Sequence, residues 1–465
     1  MGTLFCLLFC LWFLSGFGMM YWDYPEVGAR ERLSHSQPID PARVLVPPDT
    51  AYAALELKRP AAQVRLLMFD GRPAYRFRLG RRSYLVYADD GRPQLEFPQD
   101  LTRRIAASWT GQPPSAATLA GVAEPDQWTL GGARALRPFD KYTWPDGEEV
   151  YVSEITGEVA QYTTTASRWG AYLGPIPHWL YFTPIRKNGP LWNRLVVWLS
   201  GTGIVVSLLG LIGGLWIYLP SRRVPYSGQK RWHMLFGLVF GLTACTWVFS
   251  GLLSMEPFDA LTQSPETGPS GLLRSAPVLG SFGKKPPREA LGQSGSLHVK
   301  DLEFTEFDGK PVYLATEAPG QSLVIPVDGD PAPEFALNRL LTEAMRSARP
   351  YLLTQVRLMR EYDAYYIARH GELPLPVLFL GLADPQRSTF YIDPKTARVV
   401  ASYTTASRWN RWLYHGLHSW NFPWLYRFRP AWDILVLALL TGGSVLSITS
   451  AVIGWRFLRR RVAGV

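Results

Sequence analysis

Four long apolar runs without a charged side chain constrain this chain more than any other feature. Met1–Trp22, Leu195–Leu219 and Ile434–Trp455 contain no Asp, Glu, Lys, Arg or His. Trp232–Met255 is the same except for His233. Each run is about the 20 residues that a helix needs to cross a bilayer. A helix buried in a water-soluble core rarely stays uncharged for so long. The expected fold class is therefore an integral membrane protein with four transmembrane α-helices, at 1–22, 191–219, 232–255 and 431–455. The first run lacks the basic n-region and small-residue cleavage site of a signal peptide.

Charge gives the orientation. The net charge is +10, which could suggest nucleic acid until the charges are located. Arg222, Arg223, Lys230 and Arg231 lie between the second and third helices, and Arg456, Arg459, Arg460 and Arg461 follow the fourth. These eight have no acidic residue among them and leave an excess of only two elsewhere. Such asymmetry is the positive-inside pattern. It predicts a cytoplasmic loop at 220–231, a cytoplasmic tail at 456–465 and large external domains at 23–165 and 256–405. The partner implied is a lipid bilayer, not nucleic acid. Cys6, Cys10 and Cys245 all fall inside apolar runs, so the external domains contain no disulfide. There is no Cys-x-x-Cys-His for covalent haem and no Cys-x-x-Cys for zinc or thiol redox work.

The chain also repeats itself. Ala166–Leu215 and Ala406–Trp455 match without a gap at 16 of 50 positions, at an offset of 240. The matches include Ser167/Ser407, Arg168/Arg408, Trp169/Trp409, His178/His418 and Trp192/Trp432. At an offset of 235, Gly2–Met20 and Gly237–Met255 agree at 8 of 19 positions, among them Cys10/Cys245, Trp12/Trp247 and two Ser-Gly pairs. The expected architecture is two parallel repeats of helix, external domain and helix. Interfacial segments at 166–190 and 406–430 carry the repeated phrase.

The external domains read as α+β. Three strands separated by Asp-Gly-Arg-Pro and Gly-Arg-Arg turns are expected between Val64 and Pro93, and a hairpin over Val150–Tyr162 turns at Thr156-Gly157. In the second domain a helix is expected over Phe335–Ala348, with strands at Gln355–Met359, Tyr365–Arg369, Val377–Leu382 and Thr389–Ile392. Thr262–Gly295 is rich in Gly, Pro and Ser and reads as a long loop or mobile lid.

The closing strand–turn–strand phrases, "YVSEITG" from Tyr151 and "YIDPKT" from Tyr391, resemble the end of PepSY domains. Followed by Ser-Arg-Trp and a His-bearing membrane segment, they make the chain similar to the PepSY-associated transmembrane proteins over nearly its whole length. Ala397 stands where the family's turn usually has Gly, which marks the second copy as degenerate. The resemblance implies residence in a bacterial inner membrane with periplasmic domains. For some members it implies ferric-siderophore reduction, with haem b held by histidines of the bundle.

Seven histidines are available: His35, His178, His233, His298, His370, His415 and His418. His35, His298 and His370 lie in polar external sequence and read as surface residues. The other four lie on or beside membrane segments, where a titratable group is by default functional. His178 and His418 are repeat mates and so candidate ligands of one haem iron. His415 lies one helical turn before His418, with Pro175 as its mate, and is a candidate neighbour or alternative ligand. His233 opens the third helix. Its mate at an offset of 235 would fall at position −2, which leads us to expect a natural N-terminal segment with a histidine and a second haem near the cytoplasmic face. Arg168 and Arg408 are candidate partners of haem propionates, or they bind backbone and headgroups. The histidines could equally hydrogen-bond at the headgroup level, within an aromatic belt of Trp179, Tyr181, Trp192, Trp409, Trp412, Trp420, Trp424 and Trp432.

No phosphate loop, His-Glu-x-x-His or dinucleotide fingerprint is present, so no NAD or FAD motif supports a hydride donor. Electrons would come from quinol or a protein partner and pass to a ferric siderophore. The competing expectation is a non-enzymatic PepSY module that binds or restrains another envelope protein, such as a peptidase.

Overall fold

The computed structural model describes residues 2–121, 125–269, 273–368 and 371–462; His370 lies outside the described residues. The helices that carry the argument are α1 (Gly2–Met19), α2 (Gln99–Thr110), α3 (Thr165–Leu173), α4 (Pro175–His178), α5 (Gly189–Ser221), α6 (Gly228–Leu253), α7 (Leu337–Ala348), α8 (Thr405–Arg411) and α9 (Arg429–Val462). Three of them, α5, α6 and α9, are long and apolar enough to cross a membrane, whereas α1 is apolar but shorter. Their outward faces carry side chains that water would not tolerate. Trp198 and Trp216 of α5 are 74% and 77% exposed, and Val239 and Leu242 of α6 are 68% and 64% exposed. A continuous apolar surface of this kind belongs in lipid, so the chain is a multi-pass membrane protein.

The helices exchange partners between the repeats. α1 packs on α9, α5 on α6, and α6 on α9. The first helix of each repeat thus lies against the second helix of the other. Lipid tails are as apolar as leucine, so close packing rather than hydrophobic burial drives such association. Glycines permit it. A Cβ on Gly443 would fall 2.2 Å from the Phe13 ring, one on Gly442 2.4 Å from the Phe240 ring, and one on Gly16 2.6 Å from Leu440.

Fifteen strands are described outside the bundle: β1 (Gln63–Phe69), β2 (Arg72–Leu79), β3 (Arg82–Tyr87), β4 (Pro93–Gln94), β5 (Thr118–Leu119), β6 (Phe139–Thr143), β7 (Glu149–Ser153), β8 (Val159–Thr163), β9 (Asp301–Phe307), β10 (Lys310–Ala318), β11 (Gln321–Pro326), β12 (Leu353–Met359), β13 (Val377–Leu382), β14 (Thr389–Asp393) and β15 (Arg398–Tyr403). They form a four-stranded sheet β5-β6-β7-β8, its counterpart β12-β13-β14-β15, and a seven-stranded sheet β11-β10-β9-β1-β2-β3-β4. The large sheet crosses the repeat boundary. Antiparallel pairing of β1 with β9, from Val64 opposite Phe304 to Leu67 opposite Asp301, joins what sequence reading treats as two separate domains.

The duplication therefore extends further than the sequence alignment shows. α2 and α7 correspond at an offset of 238 at both ends, 99 to 337 and 110 to 348. The phrase Phe69-Asp70-Gly71 recurs as Phe307-Asp308-Gly309. Both aspartates and both glycines take positive φ, +48° and +72° in the first turn and +53° and +67° in the second, as hairpin turns require. Tyr75 and Tyr313 are also mates. Both are fully buried, and their hydroxyls donate to the carbonyls of Val46 and Lys285.

Apolar packing, rather than charge, holds the seam. Leu66, Phe77, Leu302 and Phe304 are buried beneath it, each contributing roughly 1.5–3 kcal/mol. On its other face Arg65 pairs with Asp301, and Arg398 lies 3.3 Å from Glu303. The arginines are partly exposed but Asp301 and Glu303 are buried, so desolvation of the carboxylates offsets much of the attraction.

Two expectations are corrected here. The strand expected at Tyr365–Arg369 is absent over 365–368, where the Asp363 carboxylate accepts the backbone N–H groups of Tyr365 and Tyr366 at 2.8 and 2.6 Å and folds the chain into a turn; Arg369 lies outside the described residues. Thr262–Gly295 is not a free lid in its described part. Phe282 is fully buried against Phe304 and Tyr313, and the Lys285 ammonium donates to the Pro326 and Gly329 carbonyls at 2.7 and 2.8 Å. Its residues 270–272 lie outside the described residues.

Candidate functional site

The repeated phrase is a joint between each small sheet and the membrane segment. Thr164 and Ser167 form a capping box at the start of α3, and Thr404 and Ser407 form the same box at the start of α8. One residue later the arginines tie the new helix back to the sheet. Arg168 donates to the Gly147 carbonyl at 2.7 Å and the Thr163 hydroxyl at 2.9 Å. Arg408 donates to the Arg387 carbonyl at 3.0 Å and the Thr389 hydroxyl at 3.4 Å. Trp169 and Trp409 are 65% and 61% exposed and point outward. Neither arginine lines the cavity described below, so a propionate role at Arg168 and Arg408 is replaced by this bracing role.

The histidines follow the joint. α4 ends in His178, and the chain then reverses at Leu180 with φ +52°; Trp420, its mate 240 residues on, has φ +51°. These left-handed positions bring His178 and His418 face to edge across the bundle, with ring centroids 5.9 Å apart and planes 68° apart. His178 Nδ1 lies 3.1 Å from Ser15 Oγ and 3.2 Å from the Trp12 carbonyl. His418 Nδ1 lies 3.0 Å from Ser250 Oγ. Ser15 and Ser250 spend their own protons on backbone carbonyls, of Leu11 and Trp247. Their oxygens therefore accept, which places the imidazole proton on Nδ1 and the lone pair on Nε2. Among the described residues neither Nε2 makes a hydrogen bond. Burial holds both imidazoles well below the ordinary histidine range, His418 adding to the effect at His178 and His415 at His418, so both are neutral at pH 7.

Ser15, Ser250, Trp12 and Trp247 are neighbours of the two rings that sequence reading missed. Their signal was present in the Ser-Gly pairs and tryptophans matched at an offset of 235, which read as helix repeat only.

The two rings open into a cavity of about 620 Å³. Phe13, Met20, Trp247, Tyr414 and Trp432 are among its apolar walls, and Ile367 and Glu372 reach it from the connection between β12 and β13. The size lies within the range of sites for compact organic ligands. Two imidazoles sharing one iron stand roughly 6 Å apart between centroids, given metal–nitrogen bonds of about 2 Å. The observed 5.9 Å spacing, two free Nε2 atoms and a mostly apolar cavity fit a porphyrin whose iron takes both histidines.

The other two candidates do not join this pair. Residues 412–416 form a π-helical turn, which rotates His415 off the face of His418. His415 lies against Tyr414 with ring centroids 4.2 Å apart and planes tilted by 38°, and it is exposed. His233 lies 17 residues before Ser250 on α6, about 25 Å away along the helix. Its Nδ1 is 3.3 Å from both the Leu446 carbonyl and the Thr449 hydroxyl of α9. The same carbonyl-and-hydroxyl device holds it, but no second imidazole faces it among the described residues. No group of three or more His, Cys, Asp or Glu that could hold a metal ion occurs among them either.

Compared with the models of known families and with curated proteins, the chain matches none of them.

Proposed function

We propose that this protein is an inner-membrane, haem-dependent electron carrier that reduces ferric chelates on the periplasmic side, in the manner of the PepSY-associated transmembrane proteins it resembles. The observation that carries the reading is the His178–His418 pair, two neutral imidazoles 5.9 Å apart with both Nδ1 atoms already engaged. In this reading four helices cross the membrane, α1 included. The basic residues at 222–231 and 456–461 keep both termini in the cytoplasm.

The chain's own residues have three tasks. His178 and His418 would hold the haem iron through their Nε2 atoms. Ser15 and Ser250 fix the tautomer that leaves Nε2 free, as outer hydrogen bonds to ligating histidines do. The aromatic wall keeps bulk water from the centre. A haem with two imidazole ligands supplies one-electron transfer without an open coordination position. The substrate is a ferric chelate, which takes one electron per iron. The donor is a quinol or a reduced protein, because nothing in the sequence is built for a nicotinamide. A second reading, a module that captures an extended protein segment, draws on β12, an edge strand of seven residues with Val356 and Leu358 exposed.

The first experiment is a reduced-minus-oxidised spectrum of the purified full chain. Sharp visible bands are expected, and His178→Ala or His418→Ala should broaden or abolish them, while His415→Ala should leave them in place. Protein without haem absorbance, even when haem is supplied during expression, would overturn the reading. Alkaline phosphatase fused after Gln127 should be active and after Val465 inactive; the reverse would invert the proposed topology.

A further inference from the structure

The two small sheets are copies of one another and differ most at one edge. Tyr151 of β7 and Tyr391 of β14 are mates at an offset of 240. In the first sheet Tyr151 lies opposite Lys141, whose carbonyl accepts the N–H of Ala120 just after β5. In the second, Tyr391 lies opposite Phe379 and Phe379 opposite Arg357. Arg357 therefore occupies the place of Ala120, an offset of 237. At that offset Leu352 matches Ser115, and Leu358 matches Gly121. The edge strand itself grows from two residues in β5 to seven in β12.

The longer edge is open and apolar where the shorter one is small. Residues 354–358 are all exposed, Val356 by 45% and Leu358 by 37%, and Leu352, just before β12, by 77%. Val356 and Leu358 lie opposite Leu380 and Leu378 of β13, on the face that packs against α7. They prolong a buried apolar face past the last paired strand. Such an edge is a template for one more strand, and proteins that do not use it blunt it.

Charge narrows what that strand is. Residues 344–360 contain Arg346, Arg349, Arg357 and Arg360 and no Asp or Glu. Arg346 pairs with Glu343, but Arg349, Arg357 and Arg360 pair with no carboxylate among the described residues. Arg357 sits 4.7 Å over the Phe379 ring, on the opposite face from Val356 and Leu358. There it lies within reach of the side chain directly opposite it on an added strand.

We infer that β12 pairs with an extended segment of another protein, which presents an acidic residue opposite Arg357 between apolar neighbours opposite Val356 and Leu358. The inference deepens the second reading above and rests on it, not on the haem. Main-chain hydrogen bonds supply the affinity, and the alternating side chains supply the choice of partner.

The test uses the full chain in nanodiscs and short labelled peptides of one β-branched sequence. One peptide carries Val-Glu-Val at its centre, one carries Val-Lys-Val, and one is the Val-Glu-Val peptide with its backbone amides N-methylated. Wild type should bind Val-Glu-Val about three- to tenfold more tightly than Val-Lys-Val, as one cross-strand charge pair turns from attraction to repulsion. It should not bind the N-methylated peptide. Bound peptide should slow hydrogen exchange in β12 and leave β5 unchanged, and Arg357→Glu should reverse the preference. Binding without preference, unchanged in Arg357→Glu, would overturn the inference and leave strand capture standing. No binding by any peptide, or equal binding of the N-methylated one, would overturn both and leave the haem reading intact. A dimer that protects β12 without peptide and is lost in Val356→Lys would assign the edge to a second copy. Protection of β12 by nanodisc lipid alone, absent in detergent, would assign it to the bilayer; either result overturns the inference. If Arg357→Glu does not fold, the wild-type preference decides.

Discussion

At His178 and His418 a serine hydroxyl decides which ring nitrogen is free. Without it, either nitrogen of a buried neutral imidazole could carry the proton, and the ring could turn about its bond to the chain. Ser15 and Ser250 remove both freedoms, because each gives its proton to a helix carbonyl and can only accept from Nδ1. Ser15→Ala and Ser250→Ala together should therefore lower haem affinity by about 10–100-fold, the usual cost of losing such support. Folding stability should fall by only about 1 kcal/mol for each hydrogen bond removed. Titration with haem and thermal unfolding, measured on the same preparations, separate the two effects. An affinity that falls no further than stability would mean the serines serve only as helix packing. Residue-scale reading also corrects the view of Ala397 as a sign of decay. It takes φ +51°, in the same left-handed region as Gly157 at +63°, and is fully buried. The second copy keeps the turn at the expense of a strained alanine.

Among the elements, α4 is the one whose position matters most, and glycine sets that position. A Cβ on Gly18 of α1 would lie 2.4 Å from the Leu173 carbonyl oxygen and 2.6 Å from the Gly174 Cα. Both are backbone atoms and cannot swing away. Gly18→Ala should push α4 outward, destabilise the protein by about 1–3 kcal/mol and weaken the haem bands through His178. Gly210→Ala, where nothing lies within 4 Å, should be neutral or slightly stabilising, since alanine is the better helix former. Equal effects in thermal unfolding and haem spectra would remove the packing argument. Element scale is also where legibility in the sequence divides. The apolar runs located all four helices, with no end off by more than seven residues, because an uncharged stretch of that length has few other fates. The hairpins were legible for the same local reason: alternating side chains bracket Asp-Gly and Thr-Gly turns. Pairing of β1 with β9 was not, since it joins residues some 240 apart and strand pairing leaves no local mark. A third offset of 238 linking the two Phe-Asp-Gly turns was the available clue. The π-turn that displaces His415 had no sequence signal, because one extra residue in a helical turn leaves the composition unchanged.

For the whole molecule, the consequence of duplication is that neither repeat is complete alone. α1 needs α9, and α5 needs α6. β9 closes against β1 along the centre of the seven-stranded sheet. The two histidines come from different repeats, each oriented by the first helix of its own. A chain cut within the 222–227 loop, which joins the repeats, would yield one fragment with His178 and one with His418. Each fragment alone would expose a central strand edge and the glycine-rich faces of its helices, a state prone to aggregation. Co-expressed, the fragments should associate, co-purify and show the haem bands. Seam burial at Leu66 and Leu302 supports this, since losing either side chain costs about 2–5 kcal/mol. Leu302→Ala should therefore weaken reassembly of the fragments more than it weakens the intact chain, in which the loop keeps the repeats at high local concentration. The check is co-purification with a tag on one fragment, followed by the reduced spectrum. A single fragment that gave the full bands on its own would place both axial ligands within one repeat and refute the shared site.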